Sequence, residues 1–248
     1  MITSKSKKIK SQSDEVFILR GKTKEAKDVL TLKFLPVNGR LFSFEPGQFI
    51  LVSFLDSRAN NRIRAYSISS CPQDKFLSIT VKKVGVFSSA LHKLKIGEKV
   101  KISSARGDFY PEKSMIRQPA ELVFLAAGIG IAPFYAIIKD FYRQKSPNKI
   151  TLFYSNRTKK EIVFFKELNK IAKNWLNLKI IYLVTREEMK DKCISECCRV
   201  DIIILKKYLK DLKGKHYFIC GPREFVSDKF KELKDCGVKG RFVKIEAF

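Results

Sequence analysis

Two short turns in the second half of the sequence join small residues to the ends of apolar runs. The turn Gly128-Ile129-Gly130-Ile131-Ala132-Pro133 follows the run 121–127, and Cys220-Gly221-Pro222 follows the run 216–219. A wholly apolar run bounded by turn residues is typical of a strand buried on both faces of a parallel sheet. Ligands bind beyond the carboxyl ends of such strands, and glycine lets backbone approach a ligand closely. The two turns therefore predict one ligand-binding crevice.

The first turn alone is a partial dinucleotide signature. Gly128 and Gly130 match its first two glycines, but Pro133 stands where a third small residue is expected. Proline suits the first turn of a helix, whose backbone N–H groups could receive a phosphate. Taken by itself, the segment could equally be a plain strand-to-helix turn.

The first half of the sequence places a cation beside an aromatic ring. In Arg64-Ala65-Tyr66-Ser67, strand alternation puts Arg64 and Tyr66 on the same face, although an ordinary half-exposed strand is the alternative. Further on, Gly85-Val86-Phe87-Ser88 leads into a helix predicted at 88–94. A helix N-terminus with serine at its cap can bind an anion.

The elements that must position these residues divide into two sets. Six short β-type runs separated by turn residues cover 16–19, 29–34, 48–54, 64–68, 77–81 and 99–102. Strands so spaced are typical of an antiparallel barrel or sandwich, and we expect a six-stranded β-barrel. Beyond residue 111 the pattern changes to strands that alternate with helices.

The alternating set predicts a doubly wound parallel sheet of the α/β class. Its strands are expected at 122–126, 150–154, 179–184 and 217–219, its helices at 133–142, 160–173, 202–210 and 223–236, and an edge strand at 241–245. The chain therefore divides into a basic N-terminal tail at 1–14, a barrel domain at 15–114 and an α/β domain at 115–248.

The composition allows two modest cores and restricts the setting of the protein. The chain has 248 residues, of which 45% are hydrophobic. No apolar run is long enough to cross a membrane, and no apolar stretch of a secretory signal follows the basic first residues. We expect a cytoplasmic protein whose six cysteines are reduced thiols without a bound metal, because their spacing matches no metal site.

The formal net charge of +25 narrows the class of partner. Such a charge could attract nucleic acid, an anionic membrane surface or an acidic protein. The lysines are spread along the whole chain and no nucleic-acid-binding motif is present, so no nucleic-acid partner is expected. A lysine-rich composition with solvated helix faces is the other explanation of the charge.

Six motifs in order resemble those of the ferredoxin–NADP reductase superfamily of flavoproteins, and the resemblance extends from residue 16 to residue 248. The motifs are Pro46-Gly47-Gln48-Phe49, Arg64-Ala65-Tyr66-Ser67, Gly85-Val86-Phe87-Ser88, Gly128-Ile129-Gly130-Ile131-Ala132-Pro133, Cys220-Gly221-Pro222 and Glu246-Ala247-Phe248. The resemblance implies that the barrel binds FAD and that the α/β domain binds NAD(P)H.

The resemblance also implies roles for barrel residues. Arg64 would bind the flavin phosphate, Tyr66 would pack against the isoalloxazine ring, and Ser67 would hydrogen-bond near its N5 atom. The turn formed by Gly85, Val86, Phe87 and Ser88 would hold the flavin diphosphate. Ala65, Thr80 and Lys82 are further candidate contacts to the cofactor.

In the α/β domain, the resemblance assigns the nicotinamide side of the site. Gly128, Ile129, Gly130 and Pro133 would shape the nucleotide site, and Cys220, Gly221 and Pro222 would lie beside the nicotinamide. Glu246 would be an acid near the redox centre, and Phe248 an aromatic that covers the flavin until nicotinamide displaces it. The catalytic candidates are therefore Ser67, Cys220, Glu246 and Phe248. Two alternatives stay open, namely that Cys220 only closes a buried strand and that Phe248 is only a packed terminus.

Some positions bear on nucleotide binding and choice. Many relatives carry threonine at the positions of Ile129 and Ala132, so those hydroxyl contacts are lost here. Thr185-Arg186 resembles the Ser-Arg pair that holds the 2′-phosphate of NADPH, with Lys190 and Lys192 downstream. Arginine suits a phosphate through its bidentate fork. Because NADH-using relatives can also carry this arginine, NADPH is favoured only slightly.

The function implied is that of an FAD-dependent NAD(P)H oxidoreductase. It would pass a hydride from NAD(P)H to flavin N5 and electrons to a separate acceptor, either an acidic ferredoxin or a flavodoxin, and it would act as a monomer. A separate acceptor is expected because the sequence contains no ferredoxin domain, globin segment or terminal cysteine cluster. Alternatives are a reductase for an oxygenase, a cytochrome or free flavin, and more remotely a non-catalytic nucleotide- or nucleic-acid-binding module.

Overall fold

The computed structural model describes residues 14–112, 118–187 and 194–248. The expected tail at 1–14 lies almost wholly outside these ranges, as do the expected domain boundary at 114/115 and the two downstream lysines, Lys190 and Lys192. Within the described ranges, no helix combines the length and the apolar character that crossing a membrane requires.

The first domain is an antiparallel sheet of six strands closed into a barrel. Its strands are β1 (Glu15–Ala26), β2 (Val29–Pro36), β3 (Phe49–Phe54), β4 (Arg64–Ser67), β5 (Leu77–Lys82) and β6 (Lys99–Ile102). They lie in the order β4-β3-β6-β1-β2-β5. A bridge between Ile68 and Ile79 joins the two edge strands. The helix α1 (Val86–Lys93) covers one end, where Leu91 enters the barrel core.

The second domain is a parallel sheet with helices on both faces. Its elements are β7 (Glu121–Ala127), α2 (Ile131–Arg143), β8 (Lys149–Asn156), α3 (Phe165–Asn174), β9 (Leu178–Val184), α4 (Ile202–Leu209), β10 (His216–Gly221), α5 (Arg223–Asp235) and β11 (Val243–Ala247). The strand order is β11-β10-β7-β8-β9, and every neighbouring pair is parallel. The predicted fold class is therefore confirmed.

The alternating residues of β7 show why both faces are covered. Leu122 and Phe124 pack in one core with α2 and α3, whereas Val123 and Leu125 pack in a second core with α4 and α5. A strand buried on both faces needs apolar residues at every position. This requirement explains the continuous run that the sequence shows.

Aromatic and polar contacts hold the two domains together near the site. The ring of Phe109, which follows the barrel, packs edge-on against Phe134 at 5.5 Å and Phe218 at 5.6 Å between ring centroids. Lys244 Nζ donates to the carbonyls of Asp108 and Tyr110 at 3.2 and 3.0 Å. The strand that carries the C-terminal residues is thereby fixed to the end of the barrel.

Several predicted element limits were wrong. The strand expected at 16–19 continues to Ala26 as β1, and three further limits differ for local reasons. The helix expected at 160–173 begins only at Phe165, because Phe164 adopts a left-handed conformation with φ 59° and a separate 3₁₀ turn forms at Lys159–Glu161. The edge strand expected at 241–245 begins at Val243, since Gly240–Phe242 is also a 3₁₀ turn. The helix expected at 88–94 starts two residues earlier, at Val86.

Candidate functional site

A cavity of about 670 Å³ lies in the seam between the barrel and the parallel sheet. Its volume falls in the range usual for small-molecule and cofactor sites. Of the predicted site residues, those that line it are Arg64, Ala65, Tyr66, Ser67, Thr80, Lys82, Gly85, Val86, Phe87, Ser88, Ile129, Gly130, Cys220, Glu246 and Phe248. Those that lie outside its lining are Gly128, Pro133, Thr185, Arg186, Gly221 and Pro222.

Strand β4 supplies an aromatic wall with cations at its start. The ring of Tyr66 is stacked near that of Phe87, with centroids 6.3 Å apart and planes inclined by 27°. Burial raises the pKa of Tyr66 to about 12, so its phenol is neutral at physiological pH. Arg64 is exposed at the rim, beside Arg62. This wall suits a flat ring that carries an anionic group.

The N-terminus of α1 forms a second part of the cavity. A methyl group added to Gly85 would meet no atom within 4 Å, so this residue leaves space open at the cavity edge. The first N–H groups of a helix have no partner within the helix and can bind an anion. The segment therefore presents an open anion-binding corner.

The expected position of Ser88 at the helix cap was wrong, because Gly85 is the N-cap residue. Ser88 is the third residue of α1 and is buried, and its hydroxyl accepts from the N–H groups of Val84 at 2.9 Å and Gly85 at 3.0 Å. The same hydroxyl donates to the Gly85 carbonyl at 3.1 Å. Ser88 thus fixes the shape of the turn from inside.

The side chains of Thr80 and Lys82, both on strand β5, lie in different environments. The Thr80 hydroxyl is buried and donates to Ser69 Oγ at 2.9 Å, and it lies 2.9 Å from Thr31 Oγ1. Its side chain is therefore used within the barrel, whereas Lys82 at the end of the strand is only half-buried.

The turn after β7 touches the end of β10 directly. A Cβ at Gly130 would lie 2.3 Å from the Cys220 carbonyl oxygen and 2.9 Å from the Gly221 nitrogen. Gly128 has a φ of +55°, which favours glycine. Pro133 is buried in the first turn of α2. Gly130 therefore lets the turn after β7 approach the backbone of β10 closely.

The ends of β10 and β11 bring a thiol, a carboxylate and a hydroxyl together. Cys220 pairs in register with Glu246 of β11, and Ser67 Oγ donates to Glu246 Oε1 at 2.6 Å across the seam. Burial, then the charge of Glu246, raises the pKa of Cys220 well above its ordinary value, so its thiol stays neutral. Burial also raises the pKa of Glu246, although the Ser67 hydrogen bond opposes this.

Of the remaining predicted residues, Phe248 and Pro222 lie beside this cluster, whereas Thr185 and Arg186 lie further along the sheet edge. Phe248 is 57% exposed, and its N–H donates to the Gly221 carbonyl at 3.3 Å. Pro222 is exposed at the start of α5. Thr185 and Arg186 are exposed at the carboxyl end of β9, where their N–H groups bond to the Arg157 carbonyl. Because β9 lies two strands beyond β7, these two residues are about 10 Å further along the sheet edge.

Five residues of the cavity wall were absent from the predicted set. They are Phe49, Arg62, Val84, Ala132 and Ala247. Phe49, Ala132 and Ala247 belong to motifs that were singled out without being given a role, and Val84 and Arg62 lie one and two residues before such motifs. The wall as a whole fits a flat aromatic ligand with an anionic chain, because it combines ring faces, cations, a helix N-terminus and a hydroxyl–carboxylate pair.

Comparisons with known proteins point to one family. The profile of the Oxidoreductase FAD-binding domain matches residues 16–110, and that of the Oxidoreductase NAD-binding domain matches residues 124–230. Flavohemoprotein A of Dictyostelium discoideum is 28% identical over 249 residues, covering 94% of this chain and 59% of the relative. A glycine betaine monooxygenase reductase subunit of Pseudomonas aeruginosa is 29% identical over 208 residues, covering 82% of this chain and 56% of the relative.

A solved structure shares the fold. The flavohem-like FAD/NAD binding domain of nitric oxide dioxygenase from Vibrio cholerae has a TM-score of 0.81 at 24% identity, covering 94% of this chain and 98% of that chain. The chain spans little more than half the length of the two relatives named above.

Proposed function

The chain belongs to the ferredoxin–NADP reductase superfamily of FAD- and NAD(P)-binding oxidoreductases, and from this premise we propose that it passes electrons from NAD(P)H to a separate ferredoxin or flavodoxin. The observation that carries the proposal is the seam itself. Ser67 from the barrel meets Glu246 from the sheet at 2.6 Å, in the wall of one cavity that both domains share.

When bound, FAD would supply the redox chemistry, which is acceptance of a hydride from NAD(P)H and release of electrons to the acceptor. In our proposal Tyr66 and Phe87 hold the flavin ring, and Arg64 and the N-terminus of α1 bind its phosphates. Gly128 and Gly130 shape the nucleotide site, with Ile129 and Pro133 beside them. Cys220, Gly221 and Pro222 border the nicotinamide, and Phe248 covers the ring face. These assignments follow from the wall chemistry and from the family.

Ser67 and Glu246 control a proton in this proposal. When Glu246 is ionised, Ser67 donates its hydroxyl proton to Oε1, and the serine oxygen can accept a hydrogen bond from the cavity. When Glu246 is protonated it can donate to Ser67, whose own hydroxyl proton is then free to point into the cavity. The pair can therefore present either an acceptor or a donor to a bound ring.

The first prediction tests the proposal with the purified protein. We expect it to be yellow, with flavin absorbance that NADPH bleaches several times faster than NADH does. The nucleotide preference rests on Arg186, an exposed cation that suits a 2′-phosphate. Stopped-flow absorbance with each nucleotide measures the flavin spectrum and the two rates of bleaching. Protein that cannot be reconstituted with FAD would refute the enzyme, and a strong NADH preference would refute only the role of Arg186.

The second prediction concerns the acceptor. The net charge of +25 favours encounter with an acidic protein, because complementary charge accelerates association. We expect the rate of ferredoxin or flavodoxin reduction to fall by about tenfold between low and physiological ionic strength, since screening shortens the range of attraction. Reduction of ferricyanide by the same protein is a reference for effects of salt on the protein itself. A rate that does not depend on salt would contradict electrostatic steering.

An oxygenase is the second candidate acceptor. The Pseudomonas aeruginosa relative, a glycine betaine monooxygenase reductase subunit, favours it. A screen of acidic ferredoxins, flavodoxins, oxygenase components, cytochromes and free flavin with the FAD-loaded protein distinguishes these possibilities. The proposed location is the cytoplasm, whose reducing poise suits the six cysteine thiols.

A further inference from the structure

A group of polar side chains joins the two domains at a distance from the cofactor cavity. Asp74 lies in the segment between β4 and β5, and its carboxylate contacts Lys139 Nζ and Arg143 Nη1 of α2, the latter at 2.8 Å. Next to it, Gln73 Nε2 donates to Asp140 Oδ1 at 2.7 Å. We call these five residues the interdomain latch.

The centre of the latch is shielded from water, although Gln73 and Arg143 at its edge are exposed. The side chains of Asp74 and Lys139 are only 18% and 17% exposed, and Asp140 is buried. Burial alone would raise the pKa of Asp74, but hydrogen bonds from Lys139, the Cys71 N–H and Arg143 hold it below its ordinary value. Asp74 is therefore ionised between its two cations at physiological pH. An exposed ion pair would contribute little to stability, but this pair is partly buried.

The elements that carry the latch also carry the cavity wall. The segment of Asp74 begins just after Ser67 and leads into β5, on which Thr80 and Lys82 lie. On the other side, α2 begins directly after Gly130 and has Ala132 in the cavity wall. Seven residues of helix, or about 10.5 Å, separate Ala132 from Lys139. A shift at the latch would therefore be passed along α2 to the seam.

A second cavity lies beside the latch. It has a volume of about 410 Å³ and is lined by Glu25, Thr31 and Lys33 of the barrel, by Tyr135 of α2, by Glu167 of α3 and by Phe164, which precedes α3. Burial, together with the charge of Glu167, raises the pKa of Glu25, so these two carboxyl groups from opposite domains repel each other. Lys33, in the same cavity, opposes the effect of Glu167 on the pKa of Glu25. At this edge the latch supplies direct contacts between charged groups of the two domains.

We propose that Asp74 is a positioning residue, which through Lys139 and Arg143 holds the barrel against α2 at the angle that aligns the two halves of the cofactor seam. The part of this inference that concerns hydride transfer rests on the proposed function. The part that concerns the order of the seam does not.

The test is Asp74→Asn in the FAD-loaded protein. Asparagine keeps an oxygen that can accept from the Cys71 N–H, which Asp74 binds at 3.0 Å, but it removes the charge that the two cations share. We expect amide hydrogen exchange to become at least about threefold faster in segments 69–76 and 128–132. We also expect flavin reduction by NADPH to slow by about tenfold with a weaker charge-transfer band, while reduction by dithionite is unchanged.

Two further variants make the result specific. Asp56→Asn is the matched control, because Asp56 forms an ion pair with Arg58 at 2.6 Å entirely within the barrel; it should change neither the exchange nor the reduction rate. Lys139→Gln is the milder second variant if Asp74→Asn is poorly folded, and the double variant should be no worse than Asp74→Asn alone.

The proposal would be overturned if amide exchange in segments 69–76 and 128–132 were as slow in Asp74→Asn as in the wild type. It would also be overturned if exchange there were as fast in Asp56→Asn as in Asp74→Asn. A wild-type protein that neither NADPH nor NADH reduces, but whose seam still loosens in Asp74→Asn, would refute the proposed function and leave the latch standing.

Discussion

Replacement of Gly130 by alanine is expected to lower the free energy of unfolding by about 3 kcal/mol and to slow flavin reduction by NAD(P)H by about 100-fold. The added methyl carbon would lie 2.3 Å from the Cys220 carbonyl oxygen and 2.6 Å from its carbon. These are backbone atoms of a buried strand, so they cannot rotate away as a flexible side chain could. Either the turn after β7 or the end of β10 must move.

Both segments border the proposed nicotinamide site, and so stability and activity should fall together. Denaturant unfolding measures the first, and stopped-flow reduction of the bound flavin measures the second. Gly240→Ala is the matched control, because a methyl group there would meet no atom within 4 Å. If Gly130→Ala unfolded within about 0.5 kcal/mol of that control, the close contact between the turn and the strand would not exist in solution.

The role of Gly130 illustrates what sequence could predict and what it could not. Apolar runs and turn residues revealed the strands and the edge of the sheet, because burial on two faces leaves a local pattern. They could not reveal that the turn after β7 rests on the backbone of Cys220, since that contact depends on β10 lying next to β7. Strand order is a long-range property with no local pattern.

The same limit applies to the polar contacts of the site. Ser67 and Glu246 were each singled out, but the 2.6 Å bond between them joins residues 179 positions apart. Ser88 was expected to be a helix cap because serine is favoured there, whereas its hydroxyl satisfies two N–H groups from the third position of the helix. The latch at Asp74 was not predicted at all, because charged residues in a loop and on a helix look like solvated surface.

The second large effect is expected from Glu246→Gln. The amide oxygen of glutamine can still accept the hydrogen bond that Ser67 donates, so the seam should keep its structure. The amide cannot carry a titrating proton, and it cannot alternate between accepting from Ser67 and donating to it as a carboxyl group can. We expect the rate of acceptor reduction to fall by about 100-fold, which is the lower end of the usual contribution of a positioned acid or base.

The pH profiles should separate this role from simple loss of a contact. Burial raises the pKa of Glu246 above its ordinary value of 4.5, so the wild-type rate should titrate above that pH and the variant rate should not. The stability of the protein should depend on pH for the same reason. The folded wild type binds the proton more tightly than the unfolded chain, so its stability falls as pH rises from 4.5 towards the raised pKa, and glutamine removes that slope.

The matched control is Glu121→Gln at the opposite, amino-terminal end of β7, where the carboxylate is exposed and pairs with Lys215 at 2.6 Å. That variant should keep the wild-type rate and its pH dependence. If Glu246→Gln kept the same pH-dependent limb as the wild type, the titrating group would have to be another residue. Ser67 would then accept or donate without a proton exchanged with Glu246, and the carboxylate would serve only to tie β11 to the barrel.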